Sequence, residues 1–299
     1  MNAVAHLAPE GFEEELAAEL GPGVIARHGR LFLARRPERE PSWVRNTWLE
    51  LATAEVASIG EAAKLLRAIQ RNWHPYAFHL HRRTQLLADK LPPIRFRPLR
   101  FPSPAPAAPL GAYAFLEKGT LLHSRSCSSP FPNGEIIFEE DHENPPSRAY
   151  LKLWDAFTRL GVHPGPGDRC IDLGSSPGGW TWVLATLGAE VHSVDRADLD
   201  PRVAAMPGVR FERGSAFAVD PRHVDEPYDW LFSDIICYPG RLLEMIERWR
   251  AAKAAKRFVC TLKFQGATDH AVTRRFAAIP GARVVHLFHN RHELTFLLA

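Results

Sequence analysis

Apolar and polar positions alternate in two textures along the chain. From residue 147 onward, strand-like and helix-like stretches follow one another with regular punctuation. "SRAYLKLWDAFTRLG" (147–161) reads as an amphipathic helix with Ser147 as its cap and Gly161 as its stop. "DRCIDLG" (168–174) predicts a strand, and "GWTWVLATLG" (179–188) a helix that again ends in glycine. The strands "AEVHSVDRA", "VRFERGSAF" and "YDWLFSDI" come next, then the helix "GRLLEMIERWRAA", the strand "RFVCTLKF" and a helix around "TDHAVTRRFAAI". The stretch closes on "ARVVHLFHN" and "HELTFLLA", an antiparallel pair. Strands alternating with helices predict an α/β fold: a parallel sheet with helices on both faces.

Upstream the pattern is looser. "AVAHLA" and "RLFLAR" predict strands, and "GFEEELAAEL" predicts a helix with acids in its first turn. "SIGEAAKLLRAI" predicts a helix capped by Ser58, "YAFHLH" a strand and "RRTQLLADKL" a further helix. These make a smaller α+β N-terminal region. From Pro92 to Pro109, seven of eighteen residues are proline, which rules out helix and predicts an extended connector. "AYAFLEKGTLLHS" after it predicts a hairpin turning at Lys118-Gly119. The expected division is therefore 1–91 for the N-terminal region, 92–132 for connector and hairpin, and 133–299 for the α/β domain.

Composition narrows the setting without choosing a function. The 299 residues carry 24 % charged residues and a net charge of +3, with a mean hydropathy of −0.21. These values are those of a soluble globular protein that tolerates a polyanionic partner without requiring one. No apolar stretch approaches the roughly 20 residues that span a bilayer, and "MNAVAHLAPEGFEEELAAEL" lacks the build of a signal peptide. Cys127, Cys170, Cys237 and Cys260 are scattered without a CxxC pair, so reduced thiols and a cytoplasmic location are expected. Basic residues gather in "HLHRRTQ" and "IRFRPLRF" and acids in "FEEDHEN".

The loop "GSSPGG" after "CIDL" stands where open α/β sheets bind ligands, at the C-terminal ends of their strands. Gly174, Gly178 and Gly179 let the backbone approach a ligand or take positive φ. The dinucleotide pattern GxGxxG is absent, and so is GxxxxGK[ST], which disfavours a phosphate cradle and an oxidoreductase. Asp195 ends the next strand about twenty residues on, where an acid can accept from two ribose hydroxyls. A ribose and an amino-acid tail without phosphates imply S-adenosylmethionine. The residues expected to hold it are Asp172, Gly174, Ser175, Ser176 and Pro177, with Gly178, Gly179 and Trp180 at the helix start and Asp195 at the ribose.

The closing hairpin is similar to the one that distinguishes class I methyltransferase sheets. In order, "PSRAYLKLWDAF", "DLGSSPGGWT", "VHSVD", "SDI", "FVCTLKF" and "LFHNRHELTFLL" resemble the motifs of FtsJ-type ribose 2′-O-methyltransferases, most closely the RlmM-like branch. The resemblance runs from Asn133 to the end. It implies an enzyme that methylates an RNA ribose, a cytidine of bacterial 23S ribosomal RNA in that branch, without a metal. The family's Lys-Asp-Lys-Glu tetrad maps onto Lys152, Asp234, Lys263 and Glu293, with Lys263 as base. A ribose hydroxyl is a poor nucleophile until a partner accepts its proton. Lysine does so only as a neutral amine, which requires its ordinary pKa of about 10.4 to fall.

Two departures from the pattern stand out. Ser215 replaces an acid that often meets the adenine amino group, with Asp220 nearby as a weaker substitute. The N-terminal region, expected to be ferredoxin-like and THUMP-like and to position RNA, is shorter than in that branch. A methyltransferase of tRNA and a non-catalytic assembly factor retaining the fold are the alternatives. His286, His289 and His292 stand three apart, so a strand would throw alternate ones to opposite faces and no metal site is expected, and Trp180 and Trp182 are expected to pack. Tyr238, four residues past Asp234, is the better stacking candidate, while Arg148 and Arg291 are candidates for phosphate contact.

Overall fold

The chain's structure, a computed structural model, describes residues 3–299. Met1 and Asn2, the first residues of the stretch weighed as a signal peptide, lie outside it. Two compact units divide the chain: one of residues 1–99 and 105–137, the other of 100–104 and 138–299.

The first unit holds two four-stranded sheets. β1 (Ala3–Leu7), β2 (Val24–His28), β3 (Leu31–Arg35) and β4 (Asn46–Trp48) lie in the order β2-β3-β1-β4, all antiparallel, with α1 (Glu13–Leu20) between β1 and β2. That is the order of a ferredoxin-like sheet in which irregular chain replaces the second crossover helix. The other sheet runs β5-β8-β7-β6, from β5 (Leu51–Glu55), β6 (Trp73–Pro75), β7 (Gly111–Phe115) and β8 (Thr120–Ser124). α2 (Ile59–Ile69) and α3 (His81–Ala88) belong to this part. Ser58 caps α2 as its sequence predicts, its hydroxyl accepting from the Glu61 amide at 3.1 Å.

Three expectations change here. "YAFHLH" is not a strand: the strand is Trp73–Pro75 just before it, and Leu80 takes left-handed φ 50° to start α3. The hairpin at Lys118-Gly119 forms but belongs to the first unit, because β8 pairs with β5 and β7 with β6. The domain break accordingly falls after Ile137 rather than Pro132, and residues 100–104 leave the proline-rich stretch for the second unit. There Phe101 stacks on Trp154 at 4.9 Å, apolar contact outweighing local composition.

The second unit is a seven-stranded sheet. Its strands are β9 (Arg169–Leu173), β10 (Glu190–Asp195), β11 (Val209–Arg213), β12 (Tyr228–Ser233), β13 (Ala255–Lys263), β14 (Arg283–Val285) and β15 (Glu293–Leu298). The order is β11-β10-β9-β12-β13-β15-β14, parallel except for β15, which runs antiparallel to both neighbours. α4 (Tyr150–Leu160) precedes them, and α5 (Gly179–Thr186), the short α6 (Pro201–Ala204), α7 (Pro239–Ala251) and α8 (His270–Ala277) lie between them. Trp230, Phe232 and Phe258 on inner strands and Trp249 on α7 are fully buried, each such side chain contributing roughly 1.5–3 kcal/mol or more by leaving water. Ser147 does not cap α4. Ala149 holds that position and the Ser147 hydroxyl is buried without a partner. Gly161 ends the helix at φ 70°.

Candidate methyl-transfer site

Strand order reverses between β9 and β12, and the chain leaves these two strands in opposite directions. A crevice opens there at the C-terminal ends. It holds a cleft of about 430 Å3 lined by the 174–177 turn, Gly179, Trp180 and Asp195, by 214–217 beyond β11, and by Asp234 and Lys263. Close packing explains two of the glycines. A Cβ on Gly174 (φ 82°) would lie 2.9 Å from the Ile235 Cβ, and one on Gly179 would lie 2.5 Å from the Ser147 hydroxyl. Gly178 (φ 112°) faces Val203 and Leu199 rather than the cleft, so its role is the turn itself.

Polar groups of the cleft wait for partners. Asp172 is fully buried: Oδ2 accepts from Thr181 Oγ1 at 2.7 Å, and Oδ1 has no hydrogen bond. Burial pushes its carboxyl up to about 7, with Asp234 and Asp195 adding to the effect and the Thr181 hydroxyl opposing it. The hydroxyls of Ser175 and Ser147 are likewise buried and unpaired. An unpaired buried polar group is costly, so these three atoms suit a ligand's ammonium and carboxylate. Asp195 is anchored by the Ser176 amide at 3.0 Å and the Ala197 amide at 2.9 Å, which leaves carboxylate lone pairs for ribose hydroxyls. The residues present therefore fit S-adenosylmethionine. Trp180 packs, its indole donating to the Ala149 carbonyl at 2.9 Å, and also lines the cleft.

Four residues distant in sequence meet beside the cleft. Lys152 sits one turn into α4, and Asp234 is the first residue past β12. Lys263, last of β13, is the cross-strand partner of Glu293, first of β15. Lys152 Nζ lies 2.9 and 3.0 Å from the two Asp234 carboxylate oxygens and 3.1 Å from Glu293 Oε1. Lys263 Nζ donates to the Asp234 backbone carbonyl at 2.6 Å and lies 3.1 Å from Asp234 Oδ1. Burial works against charge on Lys152, but Asp234 and Glu293 outweigh it and hold its ammonium above the ordinary lysine value. Burial likewise opposes ionisation of Asp234, yet Lys152 and Lys263 together hold its carboxyl below the usual range. Lys152 and Asp234 thus hold each other ionised, and contacts interlock all four side chains. Lys263 and Asp234 line the cleft, while Lys152 and Glu293 stand behind them.

Other candidates fall elsewhere. Ser215 lines the cleft with Phe217, 3.5 Å from Arg196, whereas Asp220 is held by Arg222 outside it. Arg148 pairs with Glu140 through its two terminal guanidinium nitrogens, Nη1 and Nη2. His286 bonds to the Arg291 carbonyl and His292 to Thr268, and no three-residue metal cluster occurs among the described residues. No helix of the described residues is long and apolar enough to cross a membrane. Sequence reasoning missed Asp155, which is fully buried one turn after Lys152. It pairs with Arg159 at 2.6 Å and accepts from the Phe288 amide at 2.6 Å, tying α4 to the turn that leads into Glu293. An acid on the apolar face of a helix was the available signal.

The strand order and reversed last hairpin are those of class I methyltransferase sheets. Residues 145–286 match the FtsJ-like methyltransferase family. The ribosomal RNA large subunit methyltransferase M of Halorhodospira halophila is 34 % identical over 160 residues, covering 51 % of this chain and 46 % of that protein. Its namesake in Laribacter hongkongensis is 33 % identical over 232 residues, covering 69 % of this chain and 65 % of that protein. The chain spans about half the length of several of the curated relatives it matches. Among solved structures, the fibrillarin pre-rRNA processing protein of Methanococcus jannaschii is 16 % identical. It covers 55 % of this chain and 85 % of its own, at a TM-score of 0.39.

Proposed function

We propose that the protein transfers a methyl group from S-adenosylmethionine to a ribose 2′-hydroxyl of RNA, in large-subunit ribosomal RNA and there on a cytidine. The observation that carries this reading is the meeting of Lys152, Asp234, Lys263 and Glu293 at the edge of a cleft whose unpaired polar atoms suit that cofactor. The names of the relatives support the ribosomal acceptor.

Asp172, Ser147 and Ser175 would hold the amino-acid part of the cofactor, Asp195 its ribose, and residues 214–217 its base. When bound, the cofactor supplies an electrophilic methyl on a sulfonium. Asp234 fixes both lysines, and Lys152 remains an ammonium that accepts no proton. Lys263 Nζ, entering the step as a neutral amine, takes the proton of the 2′-hydroxyl as that oxygen gains the methyl. Glu293 also holds Lys152 and helps balance the charge of the site. The remaining contribution is alignment of acceptor and donor. In this reading the first unit positions the RNA.

The test is incubation of the protein with labelled S-adenosylmethionine and unmodified 23S ribosomal RNA, followed by mapping of the labelled nucleotide. A single 2′-O-methylcytidine is expected. Label in tRNA alone would replace the acceptor, and label in no RNA would overturn the reading.

A further inference from the structure

The loop between β12 and α7 is built in an alternating manner that the reaction itself does not call for. Ile235 packs against Gly174, where only hydrogen fits, and Cys237 and Pro239 are buried. The Tyr238 carbonyl accepts from the Arg241 and Leu242 amides at 3.0 and 3.2 Å, binding the loop to the first turn of α7. With alternate positions anchored, Ile236 and Tyr238 point outward, 76 % and 67 % exposed. Extended backbone places residues two apart on one side, and Tyr238 is extended at φ −65°, ψ 139°. Two large apolar side chains are therefore held in water by a fixed backbone, beginning two residues past Asp234.

We propose that Ile236 and Tyr238 form a platform on which the unpaired base of the acceptor nucleotide stacks. This rests on the ribose-methylation reading. Tyr238 is four residues from Asp234, so at most about 14 Å of chain separates them. The base hangs from the same ribose whose hydroxyl must reach Lys263, so it arrives within that span. An aromatic face accepts any base, while the alcohol-bearing ribose is left free to turn toward the tetrad. Arg241, three residues on, lines the cleft with its guanidinium 3.8 Å from the centre of the Phe217 ring and without a carboxylate partner among the described residues, so its positive charge is not neutralised and suits the backbone phosphates. A second protein chain is a poorer occupant, since a stable interface buries roughly 800 Å2 per partner and two side chains supply only a fraction of it.

The experiment compares the full-length protein with Tyr238→Ala and Tyr238→Phe. It uses methyl transfer to unmodified 23S ribosomal RNA, direct binding of that RNA, and binding of S-adenosylhomocysteine. Tyr238→Ala is expected to raise KM and the RNA dissociation constant roughly tenfold, the loss of one stacked base, with kcat and cofactor affinity little changed. Tyr238→Phe should restore KM. An unchanged KM and unchanged RNA binding in Tyr238→Ala would overturn the platform, as would a loss explained by dissociation of a dimer in sedimentation. If the unaltered protein transfers no methyl group, ribose methylation fails. The platform then stands or falls on the RNA-binding comparison alone.

Discussion

The two ends of the C-terminal sheet both carry charge, and they use it differently. At the strand starts, Lys256 pairs with Asp229 at 2.7 Å and Arg169 with Glu226 at 3.0 Å, each pair having one member well exposed to water. At the strand ends, Lys152, Lys263, Asp234 and Glu293 are all at most 20 % exposed and share two carboxyl groups between two lysine side chains. Exposed pairs exchange one set of water contacts for another and contribute little. Buried ones must each be matched, because removing a partner strands a charge in a poor solvent. Charge at the starts dresses a surface, and charge at the ends is buried and matched, as the proposed reaction requires.

The contrast breaks if substitutions at the two ends have like effects. The largest expected effect is that of Lys263→Ala, which should cut methyl transfer at least 100-fold, the usual range for a proton acceptor being about 10²–10⁴. Binding of S-adenosylhomocysteine, measured by calorimetry, should be nearly intact. Retained transfer would remove the base from the scheme.

A middle-sized effect concerns Asp172, whose folded-state pKa of about 7 stands above its ordinary 3.8. The native state thus holds a proton that the unfolded chain releases between these values. The slope of stability with pH is negative there, at most about 1.4 kcal/mol per pH unit. This contribution is full below pH 3.8 and is lost as pH rises to about 7. Asp172→Asn keeps an acceptor for Thr181 but has no proton to lose. Urea unfolding at several pH values from 4 to 8 should therefore show the variant gaining on the parent as pH rises. Parallel curves would mean that burial does not govern this carboxyl.

The smallest effect sharpens the contrast from the other end. Lys256→Ala should change stability by no more than about 1 kcal/mol and leave methyl transfer unaltered. A large loss of activity would show that the strand starts also serve the site.

Much of the C-terminal domain was legible because its signals are local. "RCIDL" and "FVCTLK" are apolar runs with one polar break, and the glycines that end "CIDLG" and "TRLG" act within their own turns. Lys152, Asp234, Lys263 and Glu293 were singled out by motif order alone, and the four side chains meet. The first unit was less legible. β5, "LATAE", has an intermediate-exposed-exposed-intermediate-exposed burial pattern and so lacks a strict apolar alternation, and β4 is three residues long. Both are strands because neighbours far along the chain pair with them, β8 in one case and β1 in the other. Nonlocal packing also decided the placement of Phe101 and the contact between Asp155 and Phe288. Neither leaves a trace in spacing.

β15 is the last strand along the chain, yet it lies between β13 and β14 rather than at an edge. It carries Glu293 into register with Lys263. A growing or refolding polypeptide can therefore assemble the cleft, and even bring Asp234 to Lys152, while β14 still waits for its only neighbour. The quartet closes when that final insertion occurs. In the proposed scheme the site is complete only with β15 in place.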